Sequence, residues 1–213
     1  MKTDDLISAM IADNASASPP ISRTVWVAIA AGAALAVAHF SSLLSVRPDF
    51  GYAIAHEPRF IFKFVFTLAL AIPALLLVQR LSRPDGKAGW PLWLLALPPL
   101  LLIAAVLIEM YAVPREYWHV SALGSMPGAC MKYIPLLSLT PLAAVLYALR
   151  QGAPSNPVAA GAAAGLLSAT IAAALYATFC VDDSPMFLAI WYVAGIAIVV
   201  AAGALMGSRL LRW

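Results

Sequence analysis

Apolar residues arrive in long, nearly unbroken runs, and polar residues are confined to the short stretches between them. A helix needs roughly 20 such residues to cross the hydrocarbon of a bilayer. Six runs reach that length, at about 24–46, 60–79, 90–111, 131–149, 157–179 and 187–208. Lipid offers no partner to a bare peptide group, so each run must satisfy its own backbone and is predicted to be helical. The pattern predicts an all-α, polytopic membrane protein with six transmembrane helices, residues 24–213 forming the transmembrane domain. The first run is too long for the apolar core of a signal peptide and lacks a small-residue cleavage site after it, so it reads as a span.

The segments between the runs orient the chain. An even number of spans places both termini on one face. With both termini cytoplasmic, the inner segments hold Lys2, Arg23, Arg80, Arg83, Lys87, Arg150, Arg209 and Arg212. The outer segments then hold Arg47, Arg59, Lys63, Arg115 and Lys132. Eight of the 13 Lys and Arg against five is a modest bias of the sign the positive-inside rule demands.

Residues 1–23 have a different character and read as a cytoplasmic segment and linker. Thr3 suits a helix N-cap, and Asp4 and Asp5 suit a first turn, where the helix dipole favours anions. Leu6, Ile7, Met10 and Ile11 then share one side of the helix. The stretch Asn-Ala-Ser-Ala-Ser-Pro-Pro at 14–20 reads as a tether with a proline stop. So short a helix is marginal alone in water and gains order against a partner, which makes Thr3, Asp4, Asp5, Leu6, Ile7, Met10 and Ile11 candidate partner-binding residues. A free tail, or a helix resting on the bilayer, is the plainer alternative. The acidic face speaks against the second, because anionic lipids favour Lys and Arg.

Composition agrees with this picture and removes other classes. The 213 residues are 63% hydrophobic and only 11% charged, with mean hydropathy +0.89. A formal charge of +3 comes from scattered residues. No Lys/Arg cluster forms a nucleic-acid footprint, so no direct nucleic-acid contact is expected. No phosphate loop, nucleophile with a base, or carboxylate dyad appears, and the chain does not read as an enzyme.

The candidate chemistry lies in two cysteines, Cys130 and Cys180. Each stands where a run meets a polar loop, about 20 residues before and about 24 after the short turn at 150–156, so both reach about 30–36 Å to the same outer face. Helix axes sit about 8–10 Å apart, whereas a disulfide needs Cα atoms within roughly 7 Å, so bridging is open but not assured. The pair reads as a sensing dithiol outside the cytoplasm, as a structural disulfide, or as two unrelated small apolar residues. His119, His56, Asp182, Asp183, Glu109 and Met131 belong to the same face. Soft thiolates select ions such as zinc or copper(I), and Cys130, Cys180, His119 and Asp183 form the candidate metal set. No spacing motif supports that set, and Asp182, Asp183 and His119 read equally as solvated or interfacial residues. His39 and Glu109 fall inside spans and draw functional suspicion on that ground; His39 could bond within the bundle, and Glu109 lies near enough to the interface to reach water. Gly161 and Gly165, and Gly203 and Gly207, have the spacing that lets helices approach closely, either within one chain or along a homodimer seam.

The second half of the chain resembles a known family. It carries Cys130, Leu149-Arg150, Ala153-Pro154, Pro157, Gly161, Gly165, Tyr176, Cys180, Asp183-Ser184-Pro185, Phe187, Trp191-Tyr192, Gly195 and the closing Arg209-Leu210-Leu211-Arg212-Trp213. The opening Met1-Lys2-Thr3-Asp4-Asp5-Leu6-Ile7 adds to it. Together these are similar to the NrsF family, negative regulators of sigma F. The resemblance implies a six-span anti-sigma factor of the bacterial inner membrane that holds an extracytoplasmic-function sigma factor inactive. It implies that Cys130 and Cys180 lie at the periplasmic face and respond to heavy metal or oxidative stress. No obligatory cofactor is implied; a heavy-metal ion would be the signal. A quinone-linked thiol oxidoreductase would need a second redox pair or a CxxC, and a small metal transporter would need a polar path at mid-depth, with Pro73, Pro98 and Pro99 as kinks. Neither requirement is met.

Overall fold

The computed structural model describes residues 3–5, 7 and 20–212. Among these, six helices are long and apolar enough to cross a membrane. They are α1 (Ile21–Leu43), α2 (Pro58–Leu81), α3 (Pro91–Ala112), α4 (Pro127–Gln151), α5 (Pro157–Ala177) and α6 (Pro185–Leu210). Proline opens every helix from α2 to α6. There its missing N–H has no intrahelical partner to lose and its fixed φ already suits the helix. Asn156 and Ser184 add side-chain caps, accepting from Ala159 N and from Met186 N.

Interior prolines have unequal effects. Pro73 in α2, and Pro135 and Pro141 in α4, leave their helices continuous. In α3 a first turn, Pro91–Leu94, is offset from Leu97–Ala112, because Pro98 and Pro99 cannot donate to the carbonyls one turn earlier. In α6 a single π-helical turn, Leu188–Tyr192, widens the helix. Such turns are frequent at functional sites. The connection after α3 is itself helical at Arg115–Tyr117 and Trp118–Leu123.

The core is centred on α5, which packs on α2, α4 and α6, while α1 lies against α4. Its buried face is small: Ala160, Gly161, Ala164, Gly165, Ala169, Ala172 and Ala173. Glycines from both helices therefore meet backbone to backbone. A Cβ on Gly161 would stand 2.2 Å from the Gly203 carbonyl oxygen, and one on Gly207 would stand 2.4 Å from that of Pro157. The two spaced glycine pairs thus face each other within one chain. On the outside, Trp26, Leu35, Leu68, Ile72, Leu100, Ile103 and Ile108 are exposed, the reverse of a water-soluble fold and the arrangement lipid requires.

One end of the bundle gathers residues 44–57, 113–126 and 178–184. The opposite end carries residues 82–90 and 152–156, which touch: a Cβ on Gly152 would lie 2.0 Å from the Ser82 carbonyl oxygen. Three expectations change here. Lys63, read as an outer-loop cation, lies inside α2 with 0% exposure, because α2 begins before it at Pro58. Glu109, expected near water, is 2% exposed. His39, expected to bond inside the bundle, stands on the exposed surface of α1.

Candidate functional site

Cys130 sits in the first turn of α4, and Cys180 follows the last turn of α5, where its N–H still donates to the Tyr176 carbonyl at 3.0 Å. The α4–α5 hairpin brings the two ends together. Both thiols are free and buried, and they lie in contact with each other. The Tyr176 side chain touches both sulfurs. Tyr192, carried inward on the π-turn of α6, lies beside Cys180 and packs 5.7 Å from the Tyr176 ring. The Cys180 thiol donates weakly to the Asp182 carbonyl at 3.8 Å.

Two cations hold the backbone around Cys180. Lys63 Nζ donates to the Cys180 carbonyl at 2.8 Å and pairs with Asp183 Oδ1 at 2.5 Å. Arg47 donates to Asp183 at 2.8 and 3.1 Å and to both oxygens of Asp49 at 2.7 Å, while its main-chain N–H bonds the Thr178 carbonyl at 3.0 Å. Both cations lie over the Phe60 ring, at 5.1 and 5.8 Å from its centroid, a favourable charge–quadrupole contact. The bonds to Asp49 and Asp183 raise the Arg47 pKa, and Arg47 in turn lowers that of Asp49. Cys180 is held below the usual thiol range, chiefly by hydrogen bonding from the Cys130 thiol and then by the charge of Lys63, which together outweigh burial.

The rest of the segment is tied just as firmly. Asp182 accepts from Ser125 N and Ser125 Oγ, both at 2.9 Å. Ser184 Oγ donates to Glu109 Oε2 at 2.7 Å, and Met186 N donates to the same oxygen at 3.0 Å. A carboxylate from α3 thereby caps the positive N-terminus of α6. Residues 180–184 thus bond to α2, α3, α4 and both connections 44–57 and 113–126.

Of the candidate metal set, only the two thiols are brought together. Asp183 is engaged by Arg47 and Lys63, and His119 stands exposed. Among the described residues no three His, Cys, Asp or Glu side chains form a group that could hold a metal ion. His56 stacks on Tyr52 at 4.6 Å, and Met131 is exposed. From sequence, Lys63 and Arg47 read only as outer cations and Tyr192 only as part of the family resemblance; none is placed at the thiols. The signal for Lys63 was there: an ionisable residue among Phe60, Phe62, Phe64 and Phe66 inside an apolar run requires a buried partner. At the N-terminus, Thr3, Asp4, Asp5 and Ile7 are helical and exposed. Leu6, Met10 and Ile11 lie outside the described residues.

Residues 12–213 match the profile of the family described as NrsF, negative regulator of sigma F. The chain is 39% identical over 218 residues to the probable anti-sigma-F factor NrsF of Azospira oryzae. It is 35% identical over 226 residues to the anti-sigma-F factor NrsF of Caulobacter vibrioides. Both alignments cover 100% of this chain and 100% of the relative. No solved structure matches it.

Proposed function

The chain belongs to the NrsF family of negative regulators of sigma F, and on that premise we propose that it is an inner-membrane anti-sigma factor whose thiol pair is its sensor. Residues 1–23 capture an extracytoplasmic-function sigma factor on the cytoplasmic side, through the face built from Thr3, Asp4, Asp5, Leu6, Ile7, Met10 and Ile11. Cys130 and Cys180 face the periplasm. The observation that supports this reading best is the contact between the two thiols on a segment that also binds α2, α3 and α4. A change at the sulfurs therefore reaches most of the bundle.

Two events suit the pair. An oxidant such as a peroxide takes two electrons: two S–H bonds break, one S–S bond forms, and the peroxide is reduced to water. Alternatively, a soft heavy-metal ion displaces both thiol protons and is held between the sulfurs. Either event releases the sigma factor only if the sensor's two states differ in affinity for it. A tenfold weakening requires about 1.4 kcal/mol, well within the range of a disulfide.

The test is the Cys130→Ser/Cys180→Ser variant, assayed by a sigma-dependent reporter. Repression should persist while induction by metal and by peroxide disappears. Normal induction in the variant would remove the thiols from sensing.

A further inference from the structure

The end of the bundle away from the thiols carries a cleft that includes neither the proposed capture segment nor the thiols, although its basic loop is one that could also help the capture of a sigma factor. It lies where α2 leads into α3, has a volume of about 390 Å³, and is lined by Gln79, Arg80, Arg83, Asp85, Gly86 and Lys87. Its walls are set by close backbone approach. A Cβ on Gly86 would fall 1.9 Å from the Arg80 carbonyl oxygen, and one on Gly89, at φ +56, would fall 2.6 Å from Arg80 Nη1. The connection thus folds back over the end of α2 and holds the Arg80 guanidinium 5.3 Å from the Trp90 ring centroid. Arg83, Asp85 and Lys87 stand exposed around it.

Donors outnumber acceptors in this cleft. Three cations face one carboxylate, and Gln79 Nε2 is a buried donor with no hydrogen-bond partner. A phosphate supplies several acceptor oxygens in the geometry that guanidinium groups bind best. Depth points to the source of that phosphate. The cleft is formed by the last turn of α2 and the connection to α3, where the chain leaves one apolar span and enters the next. Trp90 and Trp93 stand 53% and 82% exposed beside it, as aromatic residues do at a membrane–water interface. Leu92 and Leu97 continue an exposed apolar surface along α3, where an acyl chain can lie.

We propose that this cleft binds the headgroup of an anionic phospholipid. Arg80, Arg83 and Lys87 surround the phosphate, and Gln79 donates to one of its oxygens. Asp85 repels a second anionic group but accepts from a hydroxyl, which favours a glycerol headgroup such as that of phosphatidylglycerol.

The test is native mass spectrometry of the full chain in detergent, titrated with phosphatidylglycerol or phosphatidylcholine. The expected result is tighter binding of phosphatidylglycerol, weakened about tenfold or more in Arg83→Gln/Lys87→Gln. Both substituted residues are exposed, so folding is not at stake. Arg150→Gln, an exposed cation elsewhere on the same end, should leave affinity unchanged. Equal affinity in wild type and the double variant overturns the proposal. So does full displacement of the lipid by millimolar inorganic phosphate, which would make the ligand free phosphate. Loss of sigma-factor capture with lipid affinity intact would make the cleft a protein-docking surface and likewise overturn it.

Discussion

Lys63 sets the electrostatics of the thiol end. Its buried ammonium fastens the Cys180 carbonyl, neutralises Asp183 and favours the thiolate of Cys180. A thiol held below its ordinary range keeps its thiolate to lower pH and loses reactivity as pH falls through the lowered pKa. Lys63→Met should therefore move the pH midpoint of Cys180 alkylation upward, toward the ordinary thiol value of about 8.5. Site-resolved mass spectrometry of iodoacetamide adducts reads this directly, and an unchanged midpoint would remove Lys63 from the site's electrostatics. Asp183 keeps Arg47 in that variant, so stability should fall by less than the ~3–5 kcal/mol typical of a fully orphaned buried charge. The cysteines were legible in sequence because rarity and position at the ends of runs mark them. Their setting was not. A window that scores hydropathy treats Lys63 as a loop cation near a span boundary, and nothing in sequence pairs it with Asp183, 120 positions away.

Among the elements, the α5–α6 seam carries the greatest consequence per residue. The carbonyl of Gly203 occupies the place a side chain at Gly161 would need. Gly161→Val should force the helices apart and cost about 1–3 kcal/mol or more, as overpacking does. Thermal unfolding in detergent would show it, and a wild-type midpoint would mean the seam is looser than the structure has it. The six spans were readable to within a few residues, since length and apolarity are all a bilayer asks of them. The offset in α3, the π-turn in α6 and the short helices after α3 were not, because each depends on where backbone bonds are re-made rather than on average hydropathy. The glycine pairs announced close packing, and the structure supplied the partner.

For the whole molecule, the proposed function requires capture and sensing to lie on opposite faces. Removing residues 3–11 should abolish sigma-factor pull-down while the chain stays in the membrane fraction; retained capture would move the binding surface elsewhere. In intact cells, a membrane-impermeant maleimide should label His119→Cys, at an exposed position on the thiol end, in the Cys130→Ser/Cys180→Ser background. Labelling confined to inverted vesicles would reverse the orientation and end the sensor reading. The positive-inside bias of the sequence is what suggests this topology.

The segment from Cys180 to Ser184 gathers bonds from partners as distant along the chain as Arg47 and Glu109. During synthesis those partners are made well before the ribosome reaches residue 180. Until residues 180–184 have followed, Lys63 lacks Asp183 and the Cys180 carbonyl, Glu109 has only Arg59, at 3.5 Å, and Cys130 has no second sulfur beside it. On the proposed function, a polypeptide that ends before residue 180 keeps its capture segment and lacks half of its sensor, so it is deaf to stress.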